Sequence, residues 1–247
     1  MNISKRIESV PPSTIMELLT YAARAKKQGK KVYHLNIGQP DIITPKGFLK
    51  AIREYEGEIL EYALSEGLPE LIEAIRKYYK NYNLDFENDE ILITNGGSEA
   101  LLFTMITICD EGDNILVPEP FYSNYFNFSK SVGVNINPIT TLAENGFHLP
   151  DKEEIISKIN DKTKAILFSN PGNPTGVVYT KEELEMIADI ALEYNLWIIA
   201  DEVYREFVYE GKYTSIGTIE RVKDRVIIID SVSKRYSACG ARVGSLA

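Results

Sequence analysis

The sequence predicts an α/β fold in which a largely parallel sheet is covered by helices on both faces. Short, nearly continuous apolar runs recur from residue 90 onward: EILITN (90–95), NILVPEP (114–120), VNINPI (134–139), AILFSN (165–170), LWIIADE (196–202), RVIIIDS (225–231) and ARVGSLA (241–247). Helical stretches separate most of them, at Glu99–Cys109, Pro150–Ile159 and Lys181–Glu193. The length, 247 residues, suffices for one large domain or two modest ones with a real core. Strands buried on both faces read as continuous apolar runs rather than as alternating ones.

The first helix is expected over residues 15–28, from a cap at Ser13 or Thr14 to a stop at Gly29. Its apolar positions Ile15, Leu18, Leu19, Ala22 and Ala25 fall at helical spacing but have no neighbouring element to cover, which points to a partner domain or subunit. HLNIGQPDIITP follows as an extended segment broken by Gly38 and Pro40. A second helix starts after Pro45 and runs through Phe48, Leu49 and Ile52. After Gly67, a third carries Leu68, Leu71, Ile72, Ile75 and Tyr79 on one stripe. Thr180 and Glu183 form a capping-box pair at the start of the helix before LWIIADE, so residues 165–202 read as a βαβ unit. The interval from Asp230 to Arg242 is too short for a comfortable crossover helix, so the last strand is expected to run antiparallel. The sequence stops inside that strand and reads as part of a longer design.

Composition narrows the function classes. Lys and Arg total 27 against 36 Asp and Glu, a net charge of −9. That balance argues against a nucleic-acid surface but allows a local basic pocket. Cys109 and Cys239 lack zinc or redox spacing, which suits a reducing cytosol and excludes a disulfide scaffold. No 18-residue apolar run and no apolar signal core occur, so a cytoplasmic protein without membrane partners is expected. His34 and His148 are too few for a histidine metal cluster. Neither the dinucleotide fingerprint nor the P-loop signature is present.

In an open parallel sheet, ligands bind beyond the carboxyl ends of the strands. Gly96-Gly97-Ser98-Glu99 opens a helix after the first strand; its N–H groups can hold a phosphate, or it is simply a turn and cap. Tyr122 follows the second strand and offers a ring face, or only packs there. Ser169-Asn170-Pro171-Gly172-Asn173-Pro174-Thr175-Gly176 holds two Asn-Pro steps and two glycines, more than a turn requires. Asp201 ends a buried strand, where an acid needs a partner or a cap to serve, and Tyr204 shares its side. Lys234 stands just beyond the sixth apolar run, among Ser231 and Ser233 and near Arg242. A lone surface lysine would carry no chemistry; in this company it is a candidate nucleophile. Lysine, acid and phosphate nest together point to pyridoxal phosphate.

These residues resemble the class I/II aminotransferases, the fold-type I PLP-dependent enzymes grouped around aspartate aminotransferase. The resemblance runs from Gly38-x-Pro40-Asp41 through SNPGNPTG (169–176) and DEVY (201–204) to SVSK (231–234) and Arg242-Val243-Gly244. It implies a three-layer α/β/α large domain with a mostly parallel seven-stranded sheet. Lys234 would carry the cofactor and shuttle the proton, Asp201 would face the pyridine nitrogen, and Tyr204 and Asn173 would bind the phenolate oxygen. Tyr122 would stack on the ring. Gly97, Ser98, Glu99, Ser231, Ser233 and Arg242 would hold the phosphate, joined by Tyr62 from a neighbouring subunit. Gly38 and Asn173 would seat the substrate carboxylate.

The same resemblance implies a homodimer acting on an L-amino acid and a 2-oxo acid. Residues 1–45 would form an N-terminal arm and helix belonging to the small domain and dimer contact, and residues 46–247 the PLP-binding large domain, cut off in its last strand. The rest of the small domain, with the family's carboxylate-clamping arginine, is missing from the sequence. PLP-dependent carbon–sulfur β-lyases share the same set of residues, and a non-catalytic PLP-binding or interaction module is the third reading.

Overall fold

In the computed structural model of the chain, the described residues are 2–8, 10, 14–35 and 38–247, without the side chains of residues 14–16. The expected cap at Ser13, the side chain of Ile15 and the residue Ile37 lie outside them. Seven strands form one sheet: β1 (Leu92–Thr94), β2 (Asn114–Glu119), β3 (Asn135–Thr140), β4 (Thr163–Ser169), β5 (Trp197–Asp201), β6 (Val226–Ser231) and β7 (Gly244–Leu246). Their order is β1-β7-β6-β5-β4-β2-β3. The β2–β3, β2–β4, β4–β5 and β5–β6 pairs are parallel. β7 is antiparallel to both β6 and β1, as the short Asp230–Arg242 link requires.

Helices α1 (Lys5–Glu8), α2 (Thr14–Lys27), α3 (Lys46–Arg53), α4 (Pro69–Lys80) and α5 (Gly97–Ile108) come first, followed by α6 (Asn124–Ser131), α7 (Lys152–Ile156), α8 (Lys181–Glu193) and α9 (Val232–Arg235). The two faces of the sheet are divided by residue parity, as strand geometry dictates. Leu116, Ile166, Phe168, Ile198 and Ala200 pack under Leu184, Ile187 and Ala191 of α8. Ile115, Val117, Ala165, Leu167, Ile199 and Ile229 face Leu101 and Met105 of α5 and Tyr125 of α6. A third cluster joins Ile72, Ile75 and Tyr79 of α4 to Ile91 and Ile228. Each fully buried aliphatic side chain contributes about 1.5–3 kcal/mol, so this three-layer body is the rigid part that carries the strand ends.

The capping box of α8 is formed: Thr180 N–H donates to Glu183 at 2.7 Å, and Glu183 N–H donates to Thr180 Oγ1 at 3.2 Å. Helix α7 is shorter than the expected 150–159. Asn160 ends the segment by accepting from Lys162 N–H at 2.9 Å and from Asn114 at 2.9 Å, and β4 begins at Thr163. Helix α6 was not expected; an aromatic-rich stretch, it buries Tyr125 and Ser129 four residues apart. The N-terminal region is open. Leu18 of α2 is exposed, and so is every residue from Leu49 to Tyr62.

Candidate active site

The carboxyl ends of β2, β4, β5 and β6 open on one edge of the sheet. Because β7 is antiparallel, its first residues and the end of β1 arrive at the same edge. That edge gathers Tyr122, Asn173, Asp201, Tyr204, Lys234 and Arg242.

Asp201 is the last residue of β5 and is 5% exposed. One carboxylate oxygen accepts from the Tyr125 hydroxyl at 2.6 Å, and the other from Val203 N–H at 3.3 Å. Burial pushes its carboxyl up to about 6; the two hydrogen bonds pull down, while the nearby Asp230 and Glu202 push further up. Among the described residues Asp201 forms no ion pair. Above pH 6 it is therefore a buried anion with neutral donors only, and a cation brought to it would be held strongly.

Tyr204 lies three residues on, half-buried, its hydroxyl pushed up to about 12 by burial and then by Asp201, Tyr122 and Cys239. Asn173 Nδ2 donates to that hydroxyl at 3.5 Å, the limit of a hydrogen bond. A ligand oxygen between them could accept from both. The loop that presents Asn173 is closed by its own backbone: Gly172 N–H donates to Val177 C=O at 2.7 Å, and Gly176 N–H to Gly172 C=O at 2.9 Å. Buried Asn170 ties it to neighbours, its amide donating to Thr214 C=O at 3.2 Å and accepting from Tyr179 N–H at 3.1 Å. Both Asn-Pro bonds in this loop are cis. Tyr122 packs edge-on against Tyr125, with ring centres 5.5 Å apart, and its hydroxyl accepts from Asn124 at 2.7 Å.

Lys234 stands on α9, whose cap is Ser231: Ser233 N–H donates to Ser231 Oγ at 3.1 Å. The ammonium donates to Gly38 C=O at 2.6 Å and lies 5.8 Å from the centre of the Tyr204 ring. Thr44 fastens the same N-terminal segment by donating to Ser237 C=O at 2.7 Å. Lys234, Tyr204 and Gly38 thus converge from three distant parts of the chain.

The start of α5 forms the other end of the site. Gly96, at φ +80°, precedes the first turn, where Gly97 and Ser98 N–H have no intrahelical acceptor. A Cβ on Gly96 would lie 2.4 Å from the Arg242 guanidinium. Arg242 donates to Cys239 C=O at 3.0 Å and to Asn95 C=O at 3.2 Å, which holds its fork beside the helix start. Free N–H groups at a helix N-terminus next to a guanidinium suit a phosphate dianion. Gly244 permits the approach, since a Cβ there would meet the Gly96 carbonyl carbon at 2.4 Å.

Some expected ligands are already engaged. Glu99 N–H donates to Gly96 C=O at 3.1 Å, and its carboxylate accepts from Asn95 N–H at 2.6 Å, so Glu99 secures the loop. Ser231 Oγ lies 2.7 Å from Ser233 Oγ and 3.1 Å from Val243 C=O, both within hydrogen-bond reach. Tyr62 stands fully exposed. Sequence reasoning missed Tyr125, the strongest partner of Asp201; its spacing of three from Tyr122 was the available signal, because it puts both rings on one side of a helical turn.

The family described as aminotransferase class I and II matches residues 30–247. A probable aspartate aminotransferase of Methanocaldococcus jannaschii is 39% identical over 248 aligned residues, which cover 99% of this chain and 63% of that protein. An aspartate aminotransferase mutant of Thermus thermophilus superposes with a TM-score of 0.94 at 32% identity, over 100% of this chain and 64% of that one. An alanine aminotransferase from Pyrococcus furiosus superposes with a TM-score of 0.91 at 38% identity, over 99% of this chain and 63% of that one. The chain thus spans less than two thirds of the length of the relatives it matches. It belongs to the class I and II aminotransferase family.

Proposed function

We propose that this chain forms the cofactor-binding body of a pyridoxal-phosphate-dependent aminotransferase that moves an amino group between an L-amino acid and a 2-oxo acid. Asp201 carries the reading. A buried carboxyl raised to about 6, with neutral donors and no ion pair among the described residues, lacks the cation that a protonated pyridine nitrogen would provide. The other donors fit the rest of that cofactor. Arg242 with the Gly97 and Ser98 N–H groups suits its phosphate, and Ser231 and Ser233 border the same place. Tyr204 and Asn173 suit its phenolate oxygen, Tyr122 its ring face, and Lys234 its aldehyde.

Bound there, the cofactor supplies an electron sink for the charge left when the substrate Cα loses its proton. Asp201 keeps a negative charge at the far end of the site, where its partner must stay cationic. Lys234 Nζ moves the Cα proton, and Gly38 C=O holds that amine in the site beforehand. Gly38 and Asn173 border the place for the substrate carboxylate. The protein acts as a homodimer in which Tyr62 reaches the partner's phosphate; its full exposure and that of Ile59 and Leu60 support this. A cytoplasmic location fits its two free cysteines.

Borohydride reduction after incubation with pyridoxal phosphate, followed by peptide mapping, tests the assignment. The adduct is expected on Lys234 and is lost in Lys234→Ala. An adduct on Lys223, or none, overturns it. Amino-acid turnover that needs no 2-oxo acid acceptor would make the reaction an elimination instead.

A further inference from the structure

Behind the site lies a buried group of four charges that the reaction does not use. Glu202 and Arg205 follow Asp201, Asp230 lies near the end of β6, and Arg235 directly follows Lys234. Arg205 donates to Glu202 Oε2 at 2.7 and 3.2 Å and to Asp230 Oδ2 at 3.0 Å. Arg235 donates to that same Asp230 oxygen at 2.8 Å. The first three side chains are at most 1% exposed, and that of Arg235 is 8% exposed. Two cations and two anions balance. Tyrosines complete the enclosure: the Arg235 guanidinium lies 3.9 Å from the Tyr78 ring centre, and Arg205 lies 5.1–5.5 Å from those of Tyr78, Tyr79 and Tyr82. The Tyr78 hydroxyl donates to Glu206 at 2.7 Å, which fixes the ring.

Such a cluster rarely stabilises more than well-packed apolar residues would, and Arg235 Nε is buried without a partner. What the cluster does fix is geometry. Asp230 Oδ1 accepts from Ser231 N–H at 2.7 Å, and Ser231 caps the turn that bears Lys234. Glu202, at the other end, adjoins Asp201. We infer that Arg235 is a positioning residue for Lys234: clamped between Asp230 and the face of Tyr78, it fixes the turn on which the lysine stands. The inference rests on the aminotransferase reading for the use of that lysine.

The test uses the full-length protein, cofactor-free for amide exchange and loaded for kinetics. Arg235→Met breaks the clamp, Arg235→Lys keeps the charge without the fork, and Tyr78→Leu removes the ring while keeping all four charges. In Arg235→Met and Tyr78→Leu, amides of residues 231–237 should exchange about tenfold faster or more, with β4 unchanged. Linkage of Lys234 to added pyridoxal phosphate and kcat should each fall about tenfold, with KM within about twofold. Arg235→Lys should recover part of each loss. If Arg235→Met does not fold, the charge-balanced pair Asp230→Asn with Arg235→Met replaces it, with the same expectation. Wild-type exchange and linkage rates in a folded variant, whatever its melting temperature, overturn the inference. A wild-type protein with no Lys234 adduct overturns the functional reading instead, and the exchange comparison then decides the clamp alone.

Discussion

Removing the charge of Asp201 should make the cofactor-free protein more stable at neutral pH while it impairs the chemistry. Moving this carboxyl from its ordinary 3.8 to about 6 corresponds to about 3 kcal/mol. The sign follows from proton counting. Below about pH 4 the group is protonated in both the folded and unfolded chain, so no cost appears. Between 3.8 and about 6 the folded state keeps a proton that the unfolded state has released, so stability falls as pH rises. Above that window the whole cost is present. Asp201→Asn abolishes the titration but keeps one acceptor oxygen for two donors, Tyr125 and Val203, which costs about 1 kcal/mol. The variant should therefore be about 1 kcal/mol less stable near pH 4 and about 2 kcal/mol more stable near pH 7.5, the two curves crossing between. Urea unfolding at a series of pH values reads this directly. Tyr125→Phe, which removes the shorter hydrogen bond, should move the window to higher pH. A wild-type/Asp201→Asn difference that does not change with pH, or a wild type more stable at pH 7.5, would refute the argument. With cofactor bound, the same substitution should slow turnover by about 100-fold or more.

Two further outcomes are expected. Glu183 accepts from Thr180 N–H at 2.7 Å and from Leu149 N–H at 2.8 Å, so Glu183→Ala should lower urea stability by about 2 kcal/mol while leaving Lys234 labelling intact. Mixing an inactive Lys234→Ala protein with an inactive Tyr62→Phe protein should restore part of the activity, because one site of each mixed dimer has neither defect; verified subunit exchange without recovery would show that Tyr62 serves no neighbour.

The sheet was legible in the sequence because each strand is an apolar run with its own punctuation, and α8 because Thr180 and Glu183 are three residues apart. The polar ends of those strands were legible for the same reason: Asp201 ends a buried run, and Asn173 and Lys234 lie shortly beyond the ends of two others. What escaped was pairing across distance. Tyr125 meets Asp201 across 76 residues, and Tyr78 meets the Arg235 guanidinium only because α4 packs over β6. Helix α6 escaped because its aromatic residues suit a strand as well as a helix, and only its packing against the sheet decides. The stretch between α7 and β4 is fastened by a side-chain pair, Asn160 with Asn114, that no local pattern announces.

The placement of β7 has a consequence for how the protein comes off the ribosome. β1 has one strand partner, and that partner is the last of the seven to be synthesised. A nascent chain that has emerged through β6 already carries Asp201 on a strand that can pair with both neighbours, and Lys234 follows three residues after β6. Its β1 still has no strand to join, so the glycine-led start of α5 is not yet held against Arg242. When β7 takes its place between β1 and β6, Gly244 closes on Gly96 and the start of α5 is joined to the rest of the site. The anion-binding end of the site is therefore the part that waits for β7, whereas the strands that lead to Asp201 and Lys234 can pair before it.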